Sequence, residues 1–203
     1  MGIAAAGRPV DPTVGEIRIV ALEGSLKAGS SNAALLRAAQ AVAPDGLAID
    51  VPVSLRDVPP LDPDLDACDG SAPEPVERLR AAMRGADGLL IASPEYAHSM
   101  PGTLKNALDW LVPSGELAGL PVALVSASTT MTGGLRAQMA LLQTLLAQGA
   151  FVVVQYTLPG VKAKRDDTGE LTGDVVRRRL RETLVALAEG VEESRGWRDA
   201  PVG

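Results

Sequence analysis

The chain has 203 residues, enough for one well-buried domain and too few for two comfortable ones. Hydrophobic content of 46% and charged content of 22% are ordinary for a folded chain in water, and a net charge of −6 argues against a nucleic-acid surface. Cys68 is the one cysteine and His98 the one histidine, which argues against an internal disulfide and a dedicated zinc site.

Residues 1–15, rich in Gly and Pro, read as a disordered tail. They lack a basic leader and a long apolar core, and Ala6 stands where N-myristoylation wants Ser or Thr. No stretch approaches the ~20 apolar residues of a membrane span. The expectation is a cytoplasmic chain with no membrane partner, folded over 16–192, with a loose tail over 193–203.

Five apolar, branched runs then alternate with five helical patterns. The runs are IRIVAL from Ile17, LAIDVPV from Leu47, DGLLIAS from Asp87, PVALVSA from Pro121 and AFVVVQY from Ala150. Helical spacing is carried by Leu35, Leu36, Ala39 and Val42, then by Val76, Leu79 and Met83, then by Leu104, Leu108 and Leu111. A fourth helix carries Leu135, Met139, Leu142 and Leu146, and a fifth Val176, Leu180, Leu184 and Leu187. Such alternation predicts a parallel sheet of α/β class with helices on both faces. Doubly wound sheets bind ligands beyond the carboxyl ends of their strands, at the switch point between the first and third. The loops after the first, third and fourth runs are therefore the candidate site.

The first of these loops, GSLKAGSSN, leads from a strand into a helix. Helix N-termini offer unpaired N–H groups and partial positive charge, so small residues there make an anion site. Ser25, Ser30 and Ser31 add hydroxyls, Asn32 an amide and Lys27 a cation. The dinucleotide fingerprint fails because Ser25-Leu26 follow Gly24, and the triphosphate loop fails because Ser30 stands at its lysine position. A mononucleotide phosphate such as that of FMN fits what is left. The plainer reading is a strand-to-helix turn capped by Ser31 or Asn32.

After the third run, Pro94 and Pro101 bracket a loop in SPEYAHSMPGTLKNALDW. Together with GSLKAGSSN and the later GGLRAQ, it resembles the three signatures of the NAD(P)H-dependent FMN reductase family, which includes quinone, azo-dye and chromate reductases. That resemblance implies a flavodoxin-like three-layer sandwich of strand order 2-1-3-4-5. It implies that Ser25, Leu26, Lys27, Ser30, Ser31 and Asn32 surround the FMN phosphate, that Pro94, Glu95, Tyr96 and Ala97 line the flavin, and that Ser126 and Ser128 touch the ring. Against the family pattern, Lys27 replaces arginine, Ala97 asparagine and His98 tyrosine. Lys27 keeps the charge but loses the bidentate fork, and loss of the amide at Ala97 implies one hydrogen bond fewer near FMN.

His98 and Met131 are substrate-side candidates, with His98 more ordinary as a rim residue than as an acid. Lys105 and Asp109 are placed to pair across one helical turn, and Trp110 reads as core or subunit interface. Residues 54–69, rich in Pro and Asp, make a long connection that either closes the pocket or is a surface excursion. With FMN bound the cofactor carries the chemistry and no catalytic side chain is needed. NAD(P)H would be the donor, and quinones, azo compounds, metal oxyanions or free flavin the acceptors, in a ping-pong scheme. Aromatic content of 2% implies that Tyr96 and backbone, rather than tryptophan, shield one ring face. The competing readings are a single-electron carrier and a cofactor-free binding domain. The resemblance also implies a homodimer or homotetramer.

Overall fold

The computed structural model describes residues 16–66 and 72–199, with side chains up to 196. The expected tail over 1–15, Cys68, the end of the Pro/Asp segment and residues 200–203 lie outside the described residues. Five strands form one parallel sheet of order 2-1-3-4-5. They are β1 (Ile17–Glu23), β2 (Leu47–Asp50), β3 (Gly88–Ala92), β4 (Pro121–Ala127) and β5 (Phe151–Leu158). The helices are α1 (Ser31–Ala41), α2 (Glu74–Arg84), α3 (Gly102–Asp109), α4 (Leu135–Ala147) and α5 (Asp174–Asp199). Alternate strand residues enter two separate cores. Leu22, Leu89, Ile91 and Leu124 pack on α2, α3 and α4, while Ala21, Leu90, Ala123 and Val125 pack on α1 and α5. This is the flavodoxin-like sandwich.

Three expectations are corrected. β2 stops at Asp50 rather than running through residues 51–53, since Pro52 has no N–H to give a sheet ladder. Residues 193–199 continue α5 instead of forming a loose tail. The Ser194 hydroxyl donates to Gly119 O at 3.2 Å and Arg195 pairs with Asp87 at 2.8 Å, which fastens this end to the sheet. On α4 the core-facing residues are Ala137, Gln138, Leu141 and Leu145, while Leu135, Met139 and Leu146 are exposed. The leucine stripe read from the sequence points away from the sheet.

The long connection after β2 is anchored to α2 and α3. The Asn106 amide donates to Pro59 O at 2.7 Å and accepts from Leu61 N–H at 2.7 Å, and the Trp110 indole donates to Pro59 O at 2.8 Å. Arg80 closes the segment with a buried ion pair to Asp66 at 2.7 Å and a bond to Trp110 O at 2.8 Å. Trp110 is fully buried and so belongs to the core. Lys105 and Asp109 pair as spaced.

Candidate functional site

At the end of β1 the chain stays against β3, with Gly24 N–H donating to Ala92 O at 2.8 Å. A Cβ at Gly24 would lie 3.1 Å from Leu104 and from the Ser93 hydroxyl, so glycine permits this close approach. The loop then turns through Gly29, at φ +68°, into α1. The cap of α1 is Ser30, not Ser31 or Asn32: its Oγ accepts from the Asn32 and Ala33 N–H groups at 3.1 and 3.4 Å. The Glu23 carboxyl at the end of β1 lies close enough to feel the Ser30 hydroxyl. Burial pushes that carboxyl above its ordinary value, against the opposing pull of Ser30 and the Arg37 charge.

Asn32 is buried, and its amide closes two bonds with the backbone of Ala127 at the end of β4, at 2.9 and 3.3 Å. Two of the polar side chains expected at the phosphate, Ser30 and Asn32, are thus engaged in holding the loop. What the loop offers is backbone. The N–H groups of Leu26, Ala28, Gly29 and Ser31 have no acceptor among the described residues. Lys27 is exposed beside them. A cavity of about 460 Å³ opens on the β2 side, lined by Glu23, Ser25, Lys27, Val53, Ser54 and Arg56. The start of the Pro/Asp segment therefore borders the loop.

The loop after β3 faces the first loop: the Tyr96 hydroxyl lies 3.5 Å from Ser25 Oγ, and Tyr96 is half exposed. Tyr96 and Ser99 exchange both backbone hydrogen bonds, at 2.9 and 3.0 Å, around Ala97 at φ +48° and His98 at φ +65°. That is a two-residue hairpin turn whose central positions favour Asn and Gly. The departure at Ala97 thus bears on turn strain, since an L-residue with a Cβ pays about 1 kcal/mol to sit left-handed. Glu95 faces α4 rather than solvent, its carboxylate accepting from Arg136 N–H at 3.2 Å. Burial pushes this carboxyl up, but hydrogen bonds from His98 and from the Arg136 backbone and guanidinium outweigh it and hold the group below its ordinary value. His98 is exposed, with Nδ1 3.3 Å from Glu95 Oε1 and 2.9 Å from Arg136 Nη1. One nitrogen serves these partners in turn, donating to Glu95 when protonated and accepting from Arg136 when not. Pro94 is half-buried between these residues and β3.

In the loop after β4, Ser126 is fully buried, donating to Gly133 O at 2.6 Å and accepting from Gln138 at 3.0 Å. It supports the loop from beneath instead of presenting a hydroxyl to a ring. Ser128, at the surface, bonds Thr130 at 2.9 Å, and Thr130 bonds Thr132 at 3.0 Å. Met131 stands 86% exposed at the tip, the most open apolar side chain of the site. Gly133 and Gly134 have positive φ, and a Cβ on either would come within 3.0 Å of Thr157 or Ser126.

Several residues that hold these loops in place escape sequence reasoning. Gln138, in GGLRAQ, donates to Tyr156 O at 2.9 Å and so ties α4 to β5. Arg136 joins the second and third loops through Glu95. Arg56 donates to Leu26 O at 2.7 Å, and Arg165 reaches Gly29 O and Ser31 Oγ, each at 3.3 Å. The position of Arg136 in a motif was a usable signal, whereas Arg56 and Arg165 lie in loops with none.

The model of the NADPH-dependent FMN reductase family matches residues 17–163. This chain belongs to that family. It is 36% identical over 182 residues to the quinone reductase of Escherichia coli strain K12, covering 87% of this chain and 96% of the relative. It is 35% identical over 185 residues to an NAD(P)H-dependent FMN reductase of Pseudomonas aeruginosa, covering 89% and 98%. Among solved structures it resembles FerB, a flavoenzyme NAD(P)H:(acceptor) oxidoreductase from Paracoccus denitrificans, with TM-score 0.74, 28% identity, and coverage of 88% of this chain and 98% of that one. As a member of the FMN reductase family the protein is an NAD(P)H-dependent enzyme that works with FMN. That places it apart from the carrier and the cofactor-free domain. No helix among the described residues is long and apolar enough to cross a membrane.

Proposed function

We propose that this FMN reductase holds its cofactor across the loops after β1, β3 and β4 and reduces small-molecule acceptors of the quinone class, with azo compounds, metal oxyanions and free flavin as further acceptors. The observation that carries the reading is the set of N–H groups of Leu26, Ala28, Gly29 and Ser31, without an acceptor among the described residues, at the positive end of α1 and in the loop whose Ser25 Oγ lies 3.5 Å from the Tyr96 hydroxyl. FMN, when bound, would supply the hydride chemistry between NAD(P)H as donor and the acceptor, with the two admitted to the same place in a ping-pong scheme.

The chain's own residues bind and orient. Backbone N–H groups of the first loop and the Lys27 charge suit a phosphate monoester. Pro94 and Tyr96 form a floor against which a flat ring can lie, and the hairpin at Ala97 and His98 sets the angle of Tyr96. Ser128 and Met131 border the open side, where donor and acceptor enter in turn. A homodimer is supported by the outward stripe of Leu135, Met139 and Leu146 on α4, because contiguous exposed apolar residues mark association surfaces. Sedimentation of the native protein tests this, with a monomer at micromolar concentration as the contrary result.

The reaction is tested by adding NADPH, then NADH, anaerobically to FMN-loaded protein and following the flavin absorbance, before admitting menadione. Bleaching followed by recovery on menadione addition supports the reading. Unchanged absorbance with both donors sinks it.

A further inference from the structure

We infer that Arg165, carried on the loop after β5, is the second cation of the phosphate-monoester site and positions its Gly29 and Ser31 rim; this rests on the reading of the β1–α1 loop as the FMN phosphate site. A phosphate monoester carries close to two negative charges at neutral pH, and the loop's own sequence supplies one cation, Lys27. The second arrives from residues more than 130 positions away in the chain.

The guanidinium is fixed from both sides. Its Nε donates to Gly169 O at 2.6 Å, while Nη1 donates to Ser31 Oγ at 3.3 Å and Nη2 to Gly29 O at 3.3 Å. By occupying a lone pair of Ser31 Oγ, Arg165 leaves that hydroxyl's proton to be donated elsewhere. It also neutralises the Gly29 carbonyl, whose negative end would otherwise face an incoming anion. A guanidinium has five N–H groups, so the three bonds described leave donors for a ligand oxygen.

The carrier of Arg165 is a small hairpin. Arg165 and Leu171 form an antiparallel bridge, Thr172 N–H donates to Lys164 O at 2.8 Å and Asp166 N–H donates to Glu170 O at 3.0 Å. The hairpin is docked on α1 by a forked ion pair from Arg37 to Glu170, 2.7 Å at its shortest. Gly169 makes the placement possible: at φ +88°, a Cβ there would lie 2.6 Å from Arg165 Nη2. Arg165 is thus delivered to the first turn of α1 by an element that is itself pinned to α1.

Fluorescence titration with FMN and with riboflavin, which lacks the phosphate, tests this in the apoprotein. Arg165→Ala should weaken FMN about tenfold, the loss of one charge-assisted contact, and leave riboflavin unchanged. Arg165→Lys should restore part of the difference, and Gly169→Ala, which displaces the guanidinium while keeping it in the chain, should give an intermediate loss. Unchanged FMN affinity in Arg165→Ala overturns the inference, as does equal weakening of FMN and riboflavin, which would mark a merely structural role. Wild-type protein that binds FMN no better than riboflavin overturns the phosphate reading itself, an outcome distinct from both.

Discussion

The loops after β1 and β4 flank the end of β3 at the same edge of the sheet yet are built on opposite terms. The first is held from three sides: Asn32 bonds it to β4, Arg56 bonds it to the connection after β2, and Arg165 bonds it to the hairpin after β5. The tip of the second is held largely to itself, by hydroxyl contacts from Ser128 through Thr130 to Thr132, with Met131 open to solvent. A cofactor grip profits from preorganisation, because donors already in place cost nothing to orient when the ligand arrives. On the proposed scheme, a face that admits a nicotinamide and then a different acceptor profits from the reverse. Polarizable, unbranched methionine is well suited to such a face.

The comparison breaks most completely at Asn32. Asn32→Ala leaves the buried N–H and C=O of Ala127 unpaired, and should cost about 2–4 kcal/mol of stability together with most FMN affinity, measured by thermal melts and flavin titration. Next in size is Glu95, the strut between the loops after β3 and β4. Its carboxyl is held below the ordinary value, so its contribution to stability is present above the usual carboxylate range and is lost as pH falls through the depressed value. Amide exchange in the first turn of α4 should therefore quicken on acidification, and Glu95→Gln should show the quick exchange already at neutral pH.

Smaller effects sharpen the contrast. Ala97→Asn, better suited to φ +48°, should raise stability by about 0.5–1 kcal/mol, read as a higher denaturant midpoint with FMN affinity little changed. At Glu23, where burial raises the carboxyl's value, the folded state favours the proton, and stability falls as pH climbs through that raised value. Glu23→Gln removes a negative charge beside the loop, and should tighten FMN a few-fold near pH 8 and flatten the rise of the dissociation constant with pH. Met131→Ala should change stability by less than about 0.5 kcal/mol and leave FMN affinity alone, while raising KM for bulky acceptors.

Much of this was legible in the residues. Unbroken apolar runs such as GLLIA marked strands covered on both faces, and GSLKAGSSN, PEYAHSMPG and GGLRAQ marked the three loops at the switch point. Periodicity correctly found the buried stripes of α2, α3 and α5. On α4 it found a stripe that faces outward, because apolar spacing marks an apolar face and is silent on which way the folded chain turns it. The β1–α1 loop shows a second limit. Ser30 and Asn32 were visible as polar residues at a candidate anion site, but which of three adjacent polar residues caps α1 depends on where the helix starts, and the reach of Asn32 to Ala127 is a tertiary contact 95 positions along the chain. Arg56 and Arg165 were invisible for the same reason: long-range contacts from irregular loops leave no periodic trace.

The central claim is that the β1–α1 loop grips a phosphate monoester, and phosphorus NMR of FMN-loaded protein addresses it most directly. The resonance should be displaced from that of free FMN and stay at its dianion position through pH 6, where a free phosphate monoester takes up its second proton. A resonance that titrates as in free solution, in protein whose flavin is nonetheless bound, would contradict the account.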